Sequence, residues 1–453
     1  MKENEKILAG FCRKDITPEG AIPLGGFGDD LRRLSEGVLD PICGTCVALT
    51  DEDGQTVLLF CADFLHATTT MTRELRQRVS KRTGIPETHI MLSSTHTHSG
   101  PAVSHTEQES IQHYYDVAEV MMTEAALGAL ADRAPARLQI GRGYTEKLNF
   151  VRHYKLSDGT YGGDNFGNFQ DNPIVDHASP ADNEMQLICM ARVGKPDIIL
   201  MNWQAHGKMS GTADTPFGRQ YRRWLSADFI GYVRKHLEAA TGSRVMYFTG
   251  AAGNLNAHSQ IREETPVYTP DSMGMRLSQC ALKALEEMQP VQPGKLSVKR
   301  RMLQFPVDHS DDHLLEKAEK VWALWEKDIP ACKAYAREQG FNSAYTARHI
   351  ISRSRQTKTN PMEINTIALG DIAFITAPYE MFCDNGKAIK EASPYKMTFI
   401  LTCSNGAHNY LASDFAFSHG CYEADTRIYP RGTAETLVEN YLEMLHEQKE
   451  ESL

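Results

Sequence analysis

The sequence predicts an α/β protein in which mixed sheets are flanked by helices. Short apolar, β-branched runs recur along the chain without strict polar alternation, which suits strands buried on both faces. Stretches with apolar residues at helical spacing lie between them. No low-complexity linker or internal repeat divides the chain. The 453 residues are therefore expected to form one large domain, 1–453, with room for a sizeable core.

The elements follow in order. "DPICGTCVALTDEDG" reads as a strand running into a turn, and "QTVLLFCADFLHAT" contains a strand over 55–62 that ends at Asp63 and His66. Met71, Leu75 and Val79 place a helix over 69–82, and Gly84 is its stop signal. A strand over 89–94 completes a βαβ unit, expected to be right-handed. Residues 108–132 and 218–240 read as helices, with the strands of "PDIILMNWQAHGK" and "SRVMYFTGAAGNLNAHS" ending before and after the second. Met273, Leu277, Cys280 and Ala284 mark a further helix. Leu314, Ala318, Val321 and Trp325 lie in the segment 308–356, which reads as a mostly helical insertion. "GDIAFITAPYEMF" and "MTFILTCSNGAHNY" are the last strands, and Leu437, Tyr441 and Leu445 lie on a closing helix.

Composition narrows the function. Hydrophobic residues at 41%, charged residues at 23% and a net charge of -10 describe a globular chain without the basic surface that nucleic acid or an anionic membrane requires. "MKENEKILAGFCRKDITPEG" offers no apolar stretch for a signal peptide, and nothing later approaches a membrane span. A cytoplasmic protein with no stable membrane association is expected. The ten cysteines are scattered, and Cys61 and Cys189 sit in apolar runs, as reduced, buried thiols do. Cys43 and Cys46 form a CxxC inside a strand pattern with no second pair nearby, so they read as core cysteines.

Candidate chemistry gathers after strand ends, where open α/β sheets collect ligands. His96 and His98 stand in "MLSSTHTHSGP". On an extended segment both imidazoles share a face and could meet one ion, but a bare His-x-His is more often a polar turn. His206 in "NWQAHGK", Glu380 in "APYEMF" at the start of an expected helix, and Tyr410 and Tyr422 in "NGAHNYLASDFAFSHGCYEAD" each have an ordinary structural role open to them. No GxSxG elbow, GxxxxGK[ST] loop or strand-associated GxGxxG is present.

Taken together, "AGFCRKDITPEGAIPLGGFG", "RRLSEGVLDPICGTCVALTD", "SSTHTHSGP", "LNFVRHYKLSDGT", "ADNEMQLICMAR", "MNWQAHG", "TGAAGNLN", "APYEMF" and "NYLASDFAFSHGCYEA" resemble, in order, the catalytic domain of the neutral/alkaline ceramidases, which are zinc-dependent amide hydrolases. The resemblance implies one Zn²⁺ per chain, held by His96, His206, Glu380 and Tyr410. His98 would move a proton, Arg152 would hold the substrate carbonyl or its oxyanion, and Tyr422 would add a polar contact. Where the family's AGNLSPN segment has a serine, this chain has Asn256, so attack is expected from zinc-bound water, with Asn254 and Asn256 left to contact substrate. The chain ends soon after "CYEA", so the family's C-terminal β-sandwich is not expected.

The resulting expectation is a cytoplasmic zinc hydrolase of an amide bond in a small soluble molecule, a linear-amide amidohydrolase of ceramidase-like type. Its partner is a small-molecule amide, with no nucleic acid, and self-association into a homo-oligomer is compatible with the sequence. A zinc esterase or lactonase with the same centre is the enzymatic alternative. A non-catalytic zinc-dependent binding protein is the other alternative, and Asn256 is its best support.

Overall fold

The computed structural model describes residues 7–28, 31–66, 68–167, 169, 172–261, 264, 269–325 and 327–452. A large mixed sheet runs in the order Arg244–Thr249, Ile198–Trp203, Glu184–Arg192, Ala134–Tyr144, Ile7–Asp15, Cys43–Thr50, Thr56–Ala62 and Ile90–Ser94, with Gln289–Pro290 also paired to Ala134–Tyr144. A second sheet runs Leu296–Pro306, Thr359–Leu369, Ile372–Thr376 and Met397–Leu401.

Side-chain alternation along these strands builds four layers. In the Thr56–Ala62 strand, Val57, Leu59 and Cys61 face inward, where they join Ile372, Phe374, Met397 and Phe399 of the second sheet in one core. Leu58, Phe60 and Ala62 face outward onto the helices Thr69–Thr83 and Glu109–Ala131. The other half of the large sheet is covered by Asp228–Thr241 and Pro270–Glu286. The second sheet is covered by Cys383–Ala392 and Thr433–Glu451 through Ile389, Leu437 and Tyr441. The arrangement is helix on sheet on sheet on helix, which accounts for strands apolar on both faces.

Most expected elements form where the periodicity places them. The Thr69–Thr83 helix starts with the Thr68 side chain accepting from Met71 N and stops at Gly84, which has φ 75°. Cys43–Thr50 is a strand, and Cys43, Cys46, Cys61 and Cys189 are free thiols. Three helices, Leu315–Trp322, Ile329–Glu338 and Ala344–Ser354, lie within the segment 308–356 around their own apolar cluster.

Two expected elements are corrected. The 218–240 helix is interrupted: Pro216–Gln220 is a separate short helix, and Trp224–Leu225 pairs in parallel with Gly37–Val38 before the long helix begins at Asp228. That pairing and the Ser226 N bond to Ser99 O use backbone groups a continuous helix would have needed. Glu380 is not at a helix start but in the two-residue strand Glu380–Met381, with the helix beginning at Cys383. Among the described residues no helix is long and apolar enough to cross a membrane.

Candidate metal centre

Four carboxyl-terminal strand ends meet at one place. Ile90–Ser94 leads to His96 and His98, Ile198–Trp203 to His206, Ile372–Thr376 to Glu380, and Met397–Leu401 to Tyr410. Cross-links between the loops fix them. Thr97 bridges Gly207 and His98 N donates to Gly207 O at 2.8 Å. His206 bridges Asn256, and Glu380 pairs with Tyr410. The far edges of the large sheet approach here too, since Thr249 Oγ1 donates to Thr95 O at 2.7 Å. His96 is not extended, as the shared-face argument assumed, but left-handed with φ 60°. This kink still sends both imidazoles to the same point.

The polar atoms converge closely. Glu380 Oε2 lies 3.1 Å from His96 Nε2 and 3.1 Å from His206 Nε2. His206 Nε2 is 3.3 Å from the Tyr410 hydroxyl, and His98 Nε2 is 3.4 Å from His96 Nε2. Ligand atoms set tetrahedrally about 2.0–2.1 Å from a zinc ion stand about 3.3 Å apart. The separations match that spacing, and Glu380 Oε2 is buried with no hydrogen-bond donor. Two imidazoles, a carboxylate and a phenol are a suitable donor set for Zn²⁺, so the residues fit the ion.

The three imidazoles are not equivalent. His96 Nδ1 bonds Leu65 O at 2.8 Å, and His206 Nδ1 faces Ala252 O and Leu255 O at 2.9 and 3.0 Å. Such carbonyl anchoring fixes the tautomer that presents Nε2 to a metal. His98 Nδ1 is buried without a partner. Burial, with His96, His206 and Lys208 nearby, holds His98 well below its ordinary pKa. Burial and the Arg152 charge take His206 down to about 4. Glu380 stays ionised despite its burial because the neighbouring histidines favour its charge, and His96 is correspondingly shifted upward. Burial and Glu380 push the Tyr410 phenol well up, a cost that a cation bound to its oxygen would offset.

The remaining sequence-derived residues surround this cluster. Arg152 lies with Nη1 3.4 Å from His206 Nε2 and its guanidinium 5.3 Å from the centroid of the Tyr410 ring. The Tyr422 ring stands 6.1 Å from that of Tyr410. Asn256 Nδ2 donates to Asp164 Oδ2 at 3.3 Å, while its buried Oδ1 has no partner. Asn254 is tied into the frame: its Oδ1 accepts from Cys383 N at 2.9 Å and its carbonyl accepts from Arg152 N at 3.0 Å.

Several neighbours carry little signal in the sequence. Asp164 pairs with Lys208 at 2.9 Å, and Glu423 pairs with both Arg152 and His153. Lys208, two residues after His206, was the easiest to find. Phe27 stands edge-on to His98 at 4.9 Å, the guanidiniums of Arg33 and Arg222 lie 4.8 and 4.9 Å from its ring centroid, and its carbonyl accepts from the hydroxyl of Tyr345 in the Ala344–Ser354 helix.

No protein-family model matches the chain, and no curated protein sequence does. Solved structures do. The crystal structure of neutral ceramidase from Pseudomonas aeruginosa superposes with a TM-score of 0.74 at 16% identity, covering 98% of this chain and 75% of that one. A ceramidase complexed with C2 gives 0.73 at 14% identity, covering 98% and 76%. The chain has a neutral ceramidase-like fold.

Proposed function

We propose that this protein is a zinc-dependent hydrolase of an amide bond in a small polar substrate, with one ion per chain. The convergence of His96, His206, Glu380 and Tyr410 from four separate strand ends, at the spacing of a ligand shell, carries the reading. The ceramidase-like fold supports an amide as the bond cleaved. A zinc ion at this position supplies Lewis acidity toward the carbonyl and lowers the pKa of a water molecule to about 7.

The chain's own residues do the rest. Arg152, held facing His206 and Tyr410, donates to the carbonyl oxygen and to the negative charge that grows there. His98 is neutral and unanchored at Nδ1, so it can take a proton from water on one nitrogen and return it to the leaving nitrogen. Tyr422 and Asn256 orient the substrate. Asn256 has no nucleophilic oxygen to form an acyl-enzyme, so water attacks directly. The less buried side of the site is formed by His98, Asp164 and Tyr422, a polar rim that favours a hydrophilic molecule.

Metal analysis of purified protein and a panel of short- and long-chain amides beside matched esters test this. One zinc per chain and chelator-sensitive turnover of short polar amides are expected. Absence of stoichiometric metal would refute the reading. So would His96→Ala and His206→Ala variants that keep both metal and turnover.

A further inference from the structure

Beside the metal centre lies a second buried group of chemically active side chains: His153, Cys421 and Glu423. Their arrangement is that of a hydrogen-bonded relay. Glu423 Oε2 is 2.9 Å from His153 Nε2, a direct hydrogen-bond distance and shorter than the contacts at the centre above. Glu423 Oε1 is taken by Arg152, at 2.7 Å from Nε and 2.5 Å from Nη2. A carboxylate already neutralised by a guanidinium is a poor ligand for a second cation. Its Coulomb attraction is spent, and Arg152 would be brought against the incoming charge.

The relay has a direction. Arg152 N is pinned to Asn254 O. Its Nε is pinned by Glu423, and the far nitrogen, Nη1, faces His206 Nε2 at 3.4 Å. Behind Glu423, His153 Nδ1 meets His419 Nε2 at 3.3 Å, and His419 stacks on Tyr161 with ring centroids 4.5 Å apart. His153 Nε2–H donates to Glu423, and its Nδ1 is held by the contact with His419. Each member therefore holds the next: His419 the ring of His153, His153 one oxygen of Glu423, and Glu423 the plane of Arg152.

Such a charged group is expensive to bury. The side chains of Arg152, His153 and Glu423 are 5%, 2% and 1% exposed. A well-packed apolar set of the same volume would serve folding as well or better. What an apolar set cannot do is hold a guanidinium at a fixed angle beside the reacting carbonyl.

We propose that Glu423 and His153 are positioning residues that orient Arg152 toward the substrate oxygen, with His419 completing the relay. This rests on the hydrolase reading for Arg152's role, so the test includes a readout that does not need turnover. Zinc-loaded wild type is compared with Glu423→Gln, His153→Leu, His153→Gln, Arg152→Ala and Arg152→Ala/Glu423→Gln. The two measurements are kcat and KM on a short-acyl p-nitroanilide, and the Kd of inorganic phosphate as an oxyanion mimic.

Glu423→Gln is expected to lower kcat about 10- to 100-fold, the usual scale for such supporting contacts. KM should move less than about 3-fold and zinc content should not change, while phosphate binding weakens about 10-fold. In the Arg152→Ala background the Glu423→Gln change should have almost no further effect, because its route of action is gone. His153→Gln, which can still donate to Glu423, should keep most activity, and His153→Leu should lose it. If Glu423→Gln cannot be purified folded, this His153 pair decides the matter. Unchanged kcat and phosphate affinity in the variants would overturn the proposal, as would a Glu423→Gln loss that persists in full without Arg152. Wild type that binds phosphate through Arg152 and Glu423 but hydrolyses no amide would instead overturn the hydrolase reading and leave the relay standing.

Discussion

Removing the metal should cost a measurable and calculable part of the thermal stability. The donor atoms are buried and preformed: His96, His206 and Glu380 are 2%, 0% and 5% exposed, and both ligand histidines are anchored through Nδ1. An unfolded chain offers no such arrangement, so a zinc ion held at the proposed site would bind the native state alone and stabilise it by RT ln(1 + [L]/Kd). That is about 2.7 kcal/mol at 100 times Kd and about 4.1 kcal/mol at 1,000 times. For 453 residues the unfolding entropy near the midpoint is about 0.95 kcal/mol/K, from about 2.1 cal/mol/K per residue. The midpoint should therefore rise by about 3 °C at the first concentration and about 4 °C at the second. Scanning calorimetry of chelator-stripped protein titrated with Zn²⁺ reads this directly, with Mg²⁺ as the oxygen-preferring control. His206→Ala removes a donor that approaches both Glu380 and Tyr410 and should abolish the zinc-dependent rise, whatever its own effect on the metal-free protein. Coincident midpoints for stripped and zinc-loaded wild type would refute the metal-site reasoning. So would a full zinc-dependent rise in His206→Ala.

Three other outcomes follow from particular contacts. Asp63 and Arg234 form a buried pair with bonds of 2.9 and 2.7 Å and side chains 0% and 6% exposed. Asp63→Asn should lose about 3–5 kcal/mol in urea unfolding, and a loss below about 1 kcal/mol would show the pair to be solvated. Arg152 and His153 hold the Glu423 carboxyl down to about 2 against an ordinary 4.5, despite its burial. The folded pKa is depressed, so the stabilisation is present above pH 4.5 and disappears as pH falls toward 2. It is worth about 3 kcal/mol at most, and an acid unfolding limb equally steep in Glu423→Gln would contradict it. Gly26 has φ 93°, and a Cβ there would stand 2.7 Å from His98 Nδ1. Gly26→Ala should retain zinc while losing activity about 10-fold or more through displacement of His98, as metal analysis and kinetics on one preparation would show.

The strands were legible because layers of helix on both sides leave no polar face, so "QTVLLFCADF" and "GDIAFITAPY" announce burial directly. The helix over 218–240 was misread because Trp224 and Leu225 fit helical spacing equally well. Their actual partners, Gly37 and Val38, lie nearly two hundred residues earlier. Glu380 was misplaced for the same kind of reason. An acidic residue before an amphipathic stretch suits a helix N-terminus, and only the pairing with Tyr410 makes it a strand.

The site shows the same limit more sharply. Each of His96, His206, Glu380 and Tyr410 was visible as a polar residue after an apolar run, and a family resemblance grouped them. Their chemical roles depend on atoms that no spacing encodes. Leu65 O and the carbonyls of Ala252 and Leu255 separate two anchored imidazoles from His98, which has none. Glu423, in "CYEAD", looks like one more surface carboxylate beside Asp425, yet it is 1% exposed and faces Arg152 from 271 residues away. A carboxylate so deeply desolvated persists only where its partners are fixed, and those partners are Arg152 and His153. The burial that hid Glu423 from the sequence is thus the property that would let it position Arg152 in the proposed relay.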